Sequence, residues 1–167
     1  MHQLKYFSIL FLSVCSLFFI SCEDDVPMPA DDEFTYNNVD YKVLSVKTIR
    51  LANLDQADIS AFSLNIAASK VGTLLNAIDL VVNMNSSSSV EMENGTYTFS
   101  TDIAPLNINL AAFAGIGLNT TDTFALNAKS GTVKYSVNDG EGTIKVNLTM
   151  NDDSVLNFNY TGEVSSE

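Results

Sequence analysis

The 167-residue sequence predicts an all-β domain: an antiparallel β-sandwich of about eight or nine short strands, with a lipocalin-like up-and-down barrel as the alternative. Three observations carry this expectation. Apolar residues recur with a period of two through most of the chain, where a helix would repeat every 3.6. The segments so patterned are separated by clusters of Asn, Asp, Gly and Ser, the residues of turns. The opposite phase is Thr, Asn, Ser and Lys, so each strand has one wet face and one that needs cover from a second layer or a closed barrel.

The N-terminal residues stand apart from that pattern. Lys5 supplies a positive start, and Tyr6 to Ile20 is an almost purely apolar run of 15 residues. As a helix rising about 1.5 Å per residue, the run spans about 22 Å, short of a hydrocarbon core of about 30 Å. It reads as the apolar region of an export signal over residues 1–21, and not as a stable anchor. Polarity breaks at Phe19-Ile20-Ser21-Cys22, followed by Glu23, Asp24 and Asp25. This stretch resembles the lipobox of bacterial lipoproteins, with Ser21 as the small residue before the cysteine and Phe19 where leucine is more usual. The resemblance implies that Cys22 receives a diacylglyceryl group, that cleavage falls just before it, and that the lipid holds the protein to a membrane. Cys15 fits less well, because bulky Val14 precedes it and the apolar run continues past it. A plain signal sequence that happens to precede a cysteine is the simpler alternative. Residues 22–33 then form the lipidated cysteine and an acidic tether carrying two of the three prolines. Its eleven residues after the cysteine reach at most about 40 Å.

The all-β domain is expected over residues 34–167. Tyr41 to Leu51 is strand-like but changes phase near Val43-Leu44, which suggests a bulge. Phe62, Leu64 and Ile66 alternate with Ser63 and Asn65. Val71 to Ala77 is long enough for one helical turn. Ile78, Leu80, Val82 and Met84 share a phase, and the Ser86–Ser89 run reads as a loop or loose hairpin tip. Tyr97 and Phe99 follow a turn at Asn94-Gly95; Leu106, Ile108 and Leu110 alternate with Asn107 and Asn109; Phe124 and Leu126 form a short strand before Gly131. Residues 131–164 read as a three-stranded antiparallel meander. Its inward phases are Val133, Tyr135, Val137; Ile144, Val146, Leu148, Met150; and Leu156, Phe158, Tyr160, Val164. Its turns are Asn138–Gly142 and Asn151–Ser154, whose residues tolerate positive φ or form Asx turns.

Cys22-Glu-Asp-Asp, Asn94-Gly-Thr-Tyr-Thr-Phe99, Ser130-Gly-Thr-Val-Lys-Tyr135 and the closing Asn159-Tyr-Thr-Gly-Glu-Val164 together resemble the small surface lipoproteins of Bacteroidota. The resemblance covers the whole chain and implies a β-rich surface lipoprotein without assigning catalytic residues. The acidic run Glu23, Asp24, Asp25 is similar to the surface-export signal of that phylum, which implies display on the outer face of the outer membrane. The plainer reading is that these residues begin a soluble tether.

Charge and composition exclude several functions. Removing residues 1–21 takes Lys5 and no acid, leaving seven Lys and Arg against 20 Asp and Glu, a side-chain charge of −13. That balance argues against nucleic acid, which needs clustered Lys and Arg. The single histidine, His2, and Cys15 lie in the signal, and Cys22 is consumed by lipid. The mature segment therefore has no imidazole or free thiol for Ser-His-Asp or Cys-His catalysis, or for zinc and copper sites. No carboxylate pair is marked out for glycoside hydrolysis. The expectation is a protein that is not an enzyme and uses no cofactor. Calcium is the one metal left to weigh: Asp139 with Glu141, and Asp152 with Asp153, share loops but lack EF-hand spacing, and the simpler reading is hairpin turns rich in Asp and Asn, with no metal site. For a glycan partner, Tyr97, Tyr135 and Tyr160 are in apolar phase, which leaves Tyr36 and Tyr41 as the freer aromatic candidates. Two functions remain: a non-catalytic surface module for binding, adhesion or structure, with a glycan or protein partner, or a lipocalin-like carrier with an apolar cavity of several hundred Å³.

Overall fold

The computed structural model describes residues 32–36, 38–54, 59–72, 77–116 and 124–167. The expected export signal over residues 1–21, Cys22, Glu23, Asp24 and Asp25 lie outside the described residues, as does most of the stretch from Val71 to Ala77, where only Val71, a turn at Gly72, and Ala77 are described. The described chain is all-β. Its strands are β1 (Glu33–Tyr36), β2 (Val39–Leu54), β3 (Ile59–Lys70), β4 (Ala77–Ser86), β5 (Gly95–Phe99), β6 (Asn107–Ile116), β7 (Phe124–Asn138), β8 (Glu141–Met150), β9 (Val155–Glu163) and β10 (Ser165–Ser166).

Nine strands form one continuous sheet in the order β1-β2-β3-β4-β6-β5-β7-β8-β9, with β10 pairing β2. A sandwich needs a break in the ladder at which two layers part, and this ladder has none. The sheet instead curls into a nearly closed barrel, the second of the two architectures expected. β5 spoils a pure up-and-down order. It runs antiparallel to β7 from Gly95↔Tyr135 to Thr98↔Thr132, and parallel to β6 at Thr98↔Asn107 and Phe99↔Ile108. The far end of β6 pairs directly with β7, from Ala112↔Asn127 to Gly115↔Phe124. β5 is thus a wedge that splays β6 and β7 at one mouth of the barrel.

Two pieces close the seam, β1 from the adjoining hairpin and β10 from more than a hundred residues away. β1 covers Val39–Lys42 of β2, and β10 covers Lys47 and Thr48 in parallel. The cover continues where the Glu167 amide donates to the Thr48 carbonyl (2.9 Å) and the Arg50 amide to the Glu167 carbonyl (3.3 Å). β9 meets β1 through side chains: Phe34 stacks on Phe158 at 4.7 Å, and the Tyr36 and Ser154 hydroxyls lie 2.8 Å apart.

The period-two phases face the interior as expected. Leu64, Val82, Ile108, Ile144, Leu148, Met150 and Leu156 are fully buried, each worth about 1.5–3 kcal/mol of transfer free energy. Phase changes occur at bulges. Leu44 sits between Val43↔Ala68 and Ser45↔Ala67 and is exposed, as the phase change near Val43-Leu44 suggested; Leu51 repeats the device. Two expectations need correction. The ladder slips between Asn83↔Leu110 and Met84↔Ile108, so Leu110 is exposed and Ala111 and Phe113 take over the inward face. Phe124 and Leu126 do not form a separate short strand, because β7 runs through a bulge between Ala128 and Ser130. Gly131 follows it at φ +133°; a Cβ there would collide with the Asn147 carbonyl and lie 2.8 Å from Leu148 Cα. The β7–β8 hairpin turns on Asp139 (φ 52°) and Gly140 (φ 80°), the two positive values a type I′ turn requires.

Candidate functional site

The mouth of the barrel beside the β5 wedge holds an open cleft of about 720 Å³. Four segments build it: the second half of β2 with Thr48 and Arg50, the loop 87–94, the β7–β8 turn, and the segment from Val164 to Glu167. Phe62, Met92 and Tyr135 form a nearly buried floor.

The loop owes its shape to the serine run. Ser86 is fully buried, and its hydroxyl accepts from the amides of Ser88 and Glu93, both at 3.1 Å, while donating to the Glu91 carbonyl at 3.4 Å. The Ser87 amide and hydroxyl both donate to the Glu93 carboxylate (3.2 and 2.7 Å), and Ser88 Oγ accepts from the amides of Val90 and Glu91. Local side-chain bonds of this kind replace a strand ladder. The Tyr97 hydroxyl pins the base by donating to the Glu93 carbonyl at 2.6 Å. The result is a braced loop with Met92 tucked in and Val90, 83% exposed, presented on the cleft. It is no hairpin tip, since β4 pairs with β6 and not β5.

The lining is acidic. Glu91, Glu93, Asp139 and Glu167 stand around it with Arg50, and the Glu167 carboxylate bonds Lys47 Nζ at 2.6 Å. Burial raises the Tyr135 phenol above its ordinary pKa, the negative Glu91 adds to this, and a hydrogen bond with Thr48 opposes it. Tyr135 thus stays a neutral hydrogen-bonding group on the cleft floor.

The other sequence candidates fall elsewhere. Tyr36 and Tyr41 are not free aromatics: they are 4% and 8% exposed, because β1 folds back on β2 and buries both, with Tyr36 edge-on to Phe113 and Tyr41 stacked on Phe34. Tyr97 is buried, and the partly buried Tyr160 hydroxyl donates to the Glu163 carbonyl at 2.8 Å. Asp152 accepts from the Ser154 amide (3.0 Å) and hydroxyl (2.6 Å), which holds its carboxyl below the usual range, and Asp153 pairs with Lys129. Among the described residues no group of three or more His, Cys, Asp or Glu is placed to hold a metal ion, and no helix is long and apolar enough to cross a membrane. The cleft has little local signature in the sequence, because its parts are separated by up to about 120 positions and only the serine run is a continuous feature.

The described residues therefore define a small all-β barrel with an acidic cleft at one mouth. No protein-family model, no curated protein and no solved structure matches the chain.

Proposed function

We propose that this chain is an outer-membrane lipoprotein, anchored by lipid on Cys22, whose β-barrel domain is a non-catalytic surface module that binds a partner in the mouth cleft. The observation that carries the binding reading is the cleft itself: four separate segments converge on it, and a hydrogen-bonded loop holds an exposed Val90 over a floor of Phe62, Met92 and Tyr135. Its carboxylates favour a polar or cationic surface, such as a protein segment. The carrier alternative has less support, because the barrel's inward positions are filled by large side chains and the cleft lies outside them, ringed by charge. The anchor reading rests on Ser21-Cys22, and the display reading on Glu23, Asp24 and Asp25.

A photoreactive residue at Val90, introduced into the full chain and activated on intact cells, tests this. A discrete adduct is expected from Val90 and none from Val155, an exposed residue at the opposite end of the barrel. Equal labelling from both sites, or from neither, counts against the cleft. Cys22→Ala in the same strain is expected to abolish labelling with fatty acid. Changing Glu23, Asp24 and Asp25 to Ala is expected to keep lipidation but protect the protein from protease added to whole cells. Equal protection of wild type and variant would place the domain on the periplasmic face.

A further inference from the structure

The outer face of the β5-β7-β8-β9 wall differs from the rest of this acidic molecule. Its cross-strand rows are Thr98, Thr132, Asn147, Asn157, then Thr96, Lys134, Lys145, Asn159, then Ser136, Thr143, Thr161. These three rows contain no carboxylate. The carboxylates on this face that lie nearest Lys145 along the strands, Glu141 and Glu163, are at the rim, four positions along β8 and β9 and roughly 13 Å away.

Lys134 and Lys145 are direct cross-strand partners. Side chains so placed have Cβ atoms about 4.5–5.5 Å apart, and like charges there repel. With 20 acids in the chain, a lysine beside a carboxylate is the ordinary outcome, and Lys42, Lys47 and Lys129 each have one. Lys134 and Lys145 form an ion pair with none of the described carboxylates, yet they sit together. Between them and the next row lies a hollow of about 250 Å³ lined by Lys134, Ser136, Thr143 and Lys145.

We infer that this hollow is an oxyanion site, and that it takes the sulfate or carboxylate groups of an acidic polysaccharide. Two ammonium groups and two hydroxyls offer several donors to one anionic group, and bonds to an ionised acceptor are the strong ones. The surroundings select what carries the anion. Flanking rows of Thr and Asn suit the hydroxyls of an extended sugar chain. The three rows carry no aromatic or aliphatic side chain that would enter a bilayer. A side-chain charge of −13 for residues 22–167 repels a dense polyanion such as nucleic acid, while at a Debye length of about 8 Å a sparsely charged polymer feels mainly the local lysines. The site lies on the wall, away from the cleft, and does not depend on it.

The test uses the full chain in detergent at about 0.15 M salt, with a sparsely sulfated galactan and polygalacturonate as probes and a neutral galactan as the blank. Binding to at least one acidic polymer is expected. The double variant Lys134→Gln, Lys145→Gln is expected to weaken it by about tenfold or more, the loss of two charge-assisted contacts. Lys70→Gln, at the far turn, should leave it unchanged. A second readout does not require tight binding: without polymer at the same salt the double variant should melt no lower than wild type, because it removes a local repulsion, and polymer should raise the wild-type midpoint only. Equal binding by wild type and double variant overturns the inference. So does preference for phosphatidylglycerol vesicles over both polymers, which assigns the anion to a lipid headgroup, or saturation by free sulfate alone with no gain from the polymer.

Discussion

Asn85 and Asn109 face each other at the irregular step of the β4–β6 ladder. Asn85 Nδ2 donates to Asn109 Oδ1 at 3.3 Å, and Asn109 Nδ2 returns a bond to Asn85 Oδ1 at 3.0 Å. Asn85 is fully buried, so this pair satisfies a polar group that would otherwise be stranded. Asn109→Ala is therefore expected to cost about 1–3 kcal/mol, the penalty for an unpaired buried amide, read as a lower urea midpoint. No change would mean that Asn85 finds another partner. Little of this was legible in the sequence. Asn109 looks like an ordinary outward strand residue, and the run Leu110-Ala-Ala-Phe113 fits either phase. The slip shows only in the register, where Leu110 turns out to solvent. The buried Ser86 hub is a second case: four serines in a row read as a loop, which they begin, but not as its framework.

Among the strands, phase was legible wherever a turn of recognisable chemistry fixed both neighbours. Across residues 131–164, Asp139-Gly140 and Asn151–Ser154 set the register of β7, β8 and β9, and alternation then decides which side chains go inward. We expect Phe158→Ala to cost about 3–5 kcal/mol, as large-to-small core changes do, because it also removes the stack on Phe34. Asn157→Ala, in the opposite phase, should cost under about 0.5 kcal/mol. Chemical denaturation of both variants checks this, and similar losses would mean the phase is wrong. The β5 wedge and the seam were not legible. Each depends on pairing between residues distant in sequence, which no local period records. The same gap separates the lysines from the site inferred for them. Their outward phase could be read from Thr132, Lys134 and Ser136, but their standing directly opposite each other follows from the β7–β8 register alone.

For the whole molecule, the sequence determined the class and left two ways of covering an apolar face. Composition and period speak for both, and the choice falls to whether the ladder breaks. Burial of its tyrosines gives the barrel a pH signature. Tyr41, Tyr97, Tyr135 and Tyr160 all have raised pKa values, chiefly from burial. A raised phenol keeps its proton in the folded state while the unfolded side chain ionises near about pH 10. Their contribution to stability is then complete below that pH and declines as pH rises above it. The denaturation midpoint should be level from about pH 7 to 9 and fall by about pH 10.5. Tyr97→Phe, lowering the plateau through loss of its bond to Glu93, should show a shallower fall. A wild-type midpoint that holds through this range would contradict the burial account.

The seam also orders events in time. β2 is synthesised more than a hundred residues before the segment Val164–Glu167 that covers Lys47 to Arg50. In a chain that emerges N-terminus first, from the ribosome or across a membrane, that stretch of edge is present before its cover, with its amides and carbonyls unpaired. An unpaired edge invites pairing with another chain. Two features of this edge work against that while it waits: bulges at Leu44 and Leu51 interrupt the strand on either side of the uncovered stretch, and Lys47 and Arg50 place charge within it. The device that completes the barrel last is thus matched by local protection of the strand it leaves open longest.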